Sequence, residues 1–344
     1  MPHFDHLICP LCRQGFTLTE KSARCPQGHT FDLARQGYLN LHVSPVKTQY
    51  TKDLYLARRH LFQNGVFNPL VASLSTLLLQ HRDTPSAFLL DAGCGDGSLL
   101  AAVIQTFSEQ GHTSAGLGID LCKDAVKIAS RSHPALTWCV ADLARPPIAD
   151  STQDIILNIL APANYAEFKR LLKPNGILAK VLPGPSHFQE IRRALASTPV
   201  QATSFDCHTQ YTMAAQATFP DRHAQCTPAD RAALPDCHTQ RTPAAQAASP
   251  DCNPRNIIPP MPDSLTPRLR PAEVPQSMAH AHPHFIITET QRLTYDVPAA
   301  QTIEHFIHMS PLAWHTLPEK KESAQSGRLQ KIRLDYIITL AYPT

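Results

Sequence analysis

Four side chains near the start of the chain have the types and spacing of a metal site: Cys9, Cys12, Cys25 and His29, in the order C-x2-C-x12-C-x3-H. Three thiolates and one imidazole make a closed tetrahedral set for Zn²⁺. Each pair sits on a tight turn, which lets both of its ligands face one ion. A redox dithiol would need only the Cys9-Cys12 half, so the second pair argues for metal. A second candidate for chemistry is the run Leu90-Asp91-Ala92-Gly93-Cys94-Gly95-Asp96-Gly97. It follows a short apolar strand and opens a helix at Ser98, and glycines in such a turn let backbone approach a bound molecule closely. The spacing G-x-G-x-G differs from the G-x-G-x-x-G of dinucleotide folds, and the Lys-Ser/Thr ending of a phosphate-binding loop is missing.

These residues need a scaffold. From Ala87 the sequence alternates strand-like and helix-like stretches: strands at Phe88–Asp91, Ala115–Ile119, Thr137–Ala141, Asp154–Leu160 and Ile177–Leu182, with helices between them. That order predicts an α/β fold with a doubly wound, mostly parallel sheet. Asp120 and Asp142 then close the second and third strands, on the edge where Asp91 closes the first. The glycine turn with an acidic residue ahead of it resembles the first motif of class I methyltransferases (Rossmann-like). The resemblance implies S-adenosylmethionine as cofactor, with Asp120 accepting from its ribose hydroxyls and Asp142 from its adenine amino group. Asn158-Ile-Leu-Ala-Pro162 falls where that fold holds its fourth motif. It matches the Asn-Pro-Pro-aromatic signature of amino-group methylation only in part.

The chain has 344 residues, 43% hydrophobic and 17% charged, with 31 prolines, ten cysteines and a formal net charge of +3. That is room for about two domains. Residues 1–80 carry eight Lys or Arg against four acidic residues, a mildly basic front end compatible with RNA. With no export signal and no long apolar run, the expected compartment is the cytoplasm, where clustered cysteines signal metal rather than disulfide. The expected organisation is a small N-terminal zinc-binding domain at 1–46, a helical linker at 47–84, and a methyltransferase core at 85–200 that resumes at 284–344. Between the core segments, residues 201–283 hold 13 prolines and no glycine or lysine. Asp206-Cys-His-Thr-Gln210 recurs there as Asp236-Cys-His-Thr-Gln240. Two copies are too few for a solenoid, so this stretch reads as a disordered insertion.

Taken together, the finger, the linker with Ala57-Arg58-Arg59 and Phe62, and the glycine motif resemble the 23S rRNA guanine-N1 methyltransferases of the RlmA type. The resemblance extends through Gly28-His29-Thr-Phe-Asp32, Ala34-Arg35-Gln-Gly37-Tyr38, Ala161-Pro162, Leu172-Lys173-Pro174, Pro183-Gly184-Pro185-Ser-His187 and Met309-Ser-Pro311-Leu-Ala-Trp314. It implies Cys9, Cys12, Cys25 and His29 as zinc ligands, and Phe67, Gly97, Ser98 and His187 as cofactor contacts beside Asp91, Gly93, Gly95, Asp120 and Asp142. It also implies 23S rRNA as substrate, gripped by the finger and by Arg35, Arg58 and Arg59, and a homodimer. His187, as a base, and Asn158, as an orienter, are the candidates for assisting loss of the guanine N1 proton. Phe67 stands where the family has an aromatic that is usually tyrosine. Two other readings fit the residues: a small-molecule methyltransferase with a structural zinc ribbon, and a non-catalytic zinc-dependent rRNA-binding factor.

Overall fold

The computed structural model describes residues 4–44, 50–81, 85–196, 267–300, 302–310 and 329–344. The paired Cys-His segments, including Cys207, Cys226, Cys237 and Cys252, and Trp314 lie outside the described residues.

The first forty residues form four short strands: β1 (Thr17–Leu18), β2 (Ser22–Arg24), β3 (Thr30–Asp32) and β4 (Tyr38–Asn40). β1 to β3 make a small antiparallel sheet. Two linker helices follow, α1 (Lys52–Gln63) and α2 (Asn68–Gln80). The Thr51 side chain caps α1 by accepting from the Leu54 N–H. Asn64-Gly65 ends it, with Gly65 at φ 71°, and Pro69 stands in the first turn of α2, where its missing N–H costs nothing.

The core then runs β5 (Ser86–Ala92), α3 (Ser98–Glu109), β6 (Thr113–Asp120), α4 (Lys123–Ser132), β7 (Thr137–Val140), β8 (Gln153–Ile159), α5 (Tyr165–Leu171), β9 (Leu172–Pro183) and α6 (Gln189–Ala196). After the insertion come β10 (Arg268–Pro271), a 3-10 turn at Gln276–Ala281, β11 (Phe285–Pro298), α7 (Ile303–Met309) and β12 (Lys331–Pro343). One nine-stranded sheet has the order β10-β11-β12-β9-β8-β5-β6-β7-β4. It is parallel from β9 to β4 and antiparallel from β9 to β10. The order reverses at β5, and the glycine turn leaves the carboxyl end of that strand, where open α/β sheets bind ligands.

The central strands are buried on both faces, as crossover connections require. Along β5, Ala87 and Leu89 face the core built with α1, α2 and α3. Phe88, Leu90 and Ala92 face the opposite core. That second core contains Phe4, Leu7, Ala23, Leu39 and Leu41 from the N-terminal segment. The N-terminal module is therefore packed into the sheet: β4 pairs in parallel with β7, and Leu7 bridges Ile148.

The expected insertion ends earlier than position 283. Arg268–Pro271 pair with Gln291–Thr294 as an edge strand, and Met278 and Ala281 are fully buried beside Leu182. The strand side chains are all exposed, so pairing rests on backbone hydrogen bonds rather than on an alternating apolar pattern. That is why the sequence reads as unstructured there.

Candidate active site and zinc centre

The zinc candidates converge. Cys9, Cys12, Cys25 and His29 bring their ligand atoms within 4.8 Å of one another. Cys9 Sγ and Cys25 Sγ lie 3.5 and 3.3 Å from His29 Nδ1, and Cys12 Sγ lies 3.5 Å from Cys25 Sγ. A tetrahedral Zn²⁺ with ordinary bond lengths spaces its donors by roughly 3.5–3.8 Å, so this set fits the ion. The turns that aim the ligands are closed by backbone: Arg13 N–H donates to Cys9 O at 2.8 Å, and Gly28 N–H to Cys25 O at 2.9 Å.

At the end of β5, Gly93, Gly95 and Gly97 all have positive φ, at 93°, 55° and 78°. Two of them are also sterically fixed. A Cβ on Gly93 would stand 2.6 Å from that of Ala161, and one on Gly97 would overlap the buried Trp138 ring. Around this turn the structure gathers acidic groups. Asp91 is buried, and burial pushes its carboxyl up to about 7; Arg58 pulls it down, while Asp120 and Asp96 push it further up. Asp120 accepts from Gly95 N–H at 2.9 Å and from Cys122 N–H at 2.8 Å. Burial raises its pKa as well. Ser98 donates to Asp96 at 2.6 Å. Asp142, at the end of β7, accepts from Ala144 N–H at 2.8 Å. Such a carboxylate-rich pocket suits a ligand carrying a sulfonium and an ammonium.

The cation that meets these carboxylates in the protein itself comes from the linker. Arg58 of α1 lies over the glycine turn, its Nη1 3.3 Å from where a Cβ on Gly95 would stand, and Tyr55 packs beside it. Burial works against its charge, and Asp96 and Asp91 more than offset this. This placement sets the half-buried Arg58 against the acidic turn. Arg35 is exposed and Arg59 half-buried.

Asn158 and His187 are both held by groups of the protein itself. Asn158 is 0% exposed. Its amide donates to Ala92 O at 2.8 Å and Pro162 O at 3.0 Å, and its Oδ1 accepts from Lys180 Nζ at 2.5 Å. Every polar atom of the side chain is held by the protein, which ties down the Ala161-Pro162 loop. His187 is 9% exposed. Its Nδ1 accepts from the Asp335 N–H at 3.2 Å, and burial lowers its pKa to about 4. The neutral ring therefore carries its proton on Nε2, which can donate. Phe67 caps the start of α2, buried with its ring 6.0 Å from that of Phe62.

Two residues of the site escaped the sequence reading. Lys180 on β9 is 3% exposed and donates to Asn158 Oδ1 and, at 2.6 Å, to Ala161 O. Burial lowers it to about 7. A neutral amine has two N–H donors, which these two acceptors satisfy. Asp335 on β12 is 0% exposed. It takes Arg292 in a two-pronged pair at 2.8 and 2.7 Å and accepts from Ser186 N–H at 2.8 Å, which pins the Pro183–His187 loop. The available signal was a charge flanked by apolar residues, Leu178-Ala-Lys180-Val-Leu182 in one case and Leu334-Asp335-Tyr336 in the other.

A Rossmann-like sheet of this order, a glycine turn at its switch point and carboxylates closing three successive strands define a class I S-adenosylmethionine-dependent methyltransferase. Here it carries a zinc ribbon. Comparison with known proteins agrees on both halves. Residues 7–52 match the RlmA N-terminal zinc ribbon model and residues 89–176 a methyltransferase domain model. The "Putative 23S rRNA (guanine-N(1)-)-methyltransferase YxjB" of Bacillus subtilis (strain 168) is 43% identical over 196 residues, 56% of this chain and 69% of that protein. The 23S rRNA (guanine(748)-N(1))-methyltransferase of Streptomyces fradiae is 36% identical over 193 residues, 55% and 68% of the two chains. A third relative, the "Putative 23S rRNA (guanine-N(1)-)-methyltransferase" of Micromonospora griseorubida, is 35% identical over 210 residues, 54% and 68% of the two chains. The chain belongs to the RlmA family of 23S rRNA (guanine-N1)-methyltransferases.

Proposed function

We propose that this protein methylates N1 of a guanine in 23S rRNA. The observation that carries the reading is the union of the two sites. A Cys3His ribbon of the RlmA type is built into the sheet of the methyltransferase, with β4 on β7 and Leu7 on Ile148. A small-molecule methyltransferase has no need of such a module.

When bound, S-adenosylmethionine supplies a methyl group activated on sulfur, and zinc supplies a closed structural crosslink. What this chain's residues do follows from their placement. Gly93, Gly95 and Gly97 leave room for close backbone approach, Asp91 faces positive charge, and Asp120 and Asp142 offer acceptor lone pairs for ribose and adenine. Phe67, Ser98 and His187 complete the proposed cofactor contacts, His187 as an Nε2 donor. The network Lys180–Asn158–Ala161 fixes the loop against Gly93, and holding both reactants in line supplies much of the rate. Neither Asn158 nor His187 accepts the guanine proton in this arrangement.

The test is to incubate labelled S-adenosylmethionine with unmodified 23S rRNA and the purified protein, and then to map the product by primer extension. A single arrest at one guanine is the expected result, because N1 methylation blocks pairing. Label in small metabolites and none in RNA would overturn the proposal. The family resemblance also implies a homodimer, which sedimentation of the purified chain reads directly. Among the described residues no helix is long and apolar enough to cross a membrane. An rRNA substrate further supports the cytoplasm as its place of work.

A further inference from the structure

A cleft of about 570 Å³ opens where the ribbon meets the core, lined by Arg13 from the ribbon, Arg145 and Asp150 from the loops after β7, and Glu167 and Arg170 of α5. It holds three guanidinium groups and two carboxylates. Arg170 is already used: it contacts Glu167 at 2.6 Å and Asp150 at 2.5 Å and donates to the carbonyls of Ile148 and Pro146. Arg13 is drawn to the same spot. Its Nη1 donates to Pro146 O at 3.1 Å, the oxygen that also accepts from Arg170 at 3.2 Å. The Arg145 side chain is exposed and makes no hydrogen bond or ion pair among the described residues. Arg13 reaches the cleft from a backbone φ of 62°, a region unfavourable for a residue with a Cβ.

Like charges gathered with too few counter-ions cost free energy unless an anion completes the set, and a planar guanidinium suits phosphate oxygens. The cleft adjoins the cofactor rim, since Arg145 N–H donates to Asp142 O at 3.3 Å. We propose that it is a phosphodiester-binding subsite, in which Arg13 and Arg145 hold one backbone phosphate of the RNA while Arg170 forms a fixed floor. The inference rests on RNA being the substrate. It adds where the strand is held: at the seam between ribbon and core, beside the pocket for adenine.

The experiment uses the full-length, zinc-loaded protein and a 23S rRNA transcript, with Kd measured across a series of KCl concentrations. Arg145→Ala and Arg13→Gln each weaken binding roughly tenfold at low salt, as loss of a charge-assisted bond should. The double variant lowers the slope of log Kd against log[KCl] by about 0.7–1, the release expected for one lost phosphate contact. Arg145→Lys keeps most of the affinity. Zinc content and S-adenosylmethionine affinity stay at wild-type values, which separates a lost contact from a misfolded ribbon. Because Arg145 is exposed, its variant reads the subsite even where Arg13→Gln disturbs the zinc turn. Wild-type Kd and slope in Arg145→Ala and in the double variant, alongside a wild-type protein that binds and methylates rRNA, would overturn the subsite alone. A wild-type protein that neither binds nor methylates rRNA would overturn the substrate reading and the subsite with it.

Discussion

Asp91 is the residue whose ionisation the cofactor should feel most. Its folded pKa of about 7 stands above the ordinary 3.8 because of burial. Between those two values the folded protein holds a proton that the unfolded chain has lost, so stability without cofactor falls as pH rises through that window. A cationic ligand prefers the ionised carboxyl. S-adenosylmethionine affinity should therefore rise with pH through about 7, with proton release on binding, and calorimetry in buffers of different ionisation heat measures both. In Asp91→Asn the affinity should be lower and flat with pH. Lys180 obeys the opposite sign. Its folded pKa of about 7 lies below the ordinary 10.5, so the unfolded chain binds the extra proton and the folded state is penalised in full below pH 7. The penalty is relieved as pH climbs toward 10.5, on the order of a few kcal/mol in all. Denaturant unfolding of wild type against Lys180→Met should show that difference in pH dependence. The same variant orphans Asn158 Oδ1 and Ala161 O, and kcat should fall more than KM rises, since the loop beside Gly93 loses its tether. Lys180 and Asp335 were poorly legible in the sequence for one reason. A buried charge is recognisable only by its partners, and those partners lie 22 positions away for Lys180 and 43 for the Asp335–Arg292 pair.

At the scale of elements, what could be read was what repeats locally. The β5-turn-α3 unit, the carboxylates at the strand ends and the two linker helices all follow from period-two and period-3.6 patterning with turn chemistry at the joints. The edge strand β10 and the fate of α1 do not, because each depends on a surface supplied from elsewhere in the chain. α1 shows the consequence. Leu54, Leu61 and Phe62 are buried along its apolar side, and this packing delivers Arg58 onto the acidic turn. Arg58 there stands in for the positive charge that the cofactor brings. Arg58→Ala should therefore lower the melting temperature of the cofactor-free protein, by the equivalent of about 1–3 kcal/mol for carboxylates left without their partner. It should also enlarge the rise in melting temperature that S-adenosylmethionine produces. A smaller rise than in wild type would show instead that Arg58 grips the cofactor directly. Thermal scans with and without ligand distinguish the two.

The whole molecule couples its two modules through main chain. The ribbon supplies the terminal strand of the nine-stranded sheet and five buried residues of its second core, so zinc binding and the cofactor wall share structure. Tyr38–Asn40 pair with Trp138–Val140, and Trp138 in turn is the ring against which Gly97 and Gly118 are fitted. A ribbon this small buries too little apolar surface to hold its turns without a crosslink. Removing the metal should free β4 and Leu7, unpair β7 on its outer side and loosen the wall that carries Trp138 and Asp142. Chelation should then weaken S-adenosylmethionine binding several-fold even though the zinc ligands belong to another part of the chain. Amide exchange should accelerate first in residues 7–41 and next in 137–142, while β5 and β8, inside the sheet, stay protected. Zinc added back should restore both readings together. Cofactor affinity indifferent to chelation would mean that the ribbon, although built onto the sheet, serves the RNA alone.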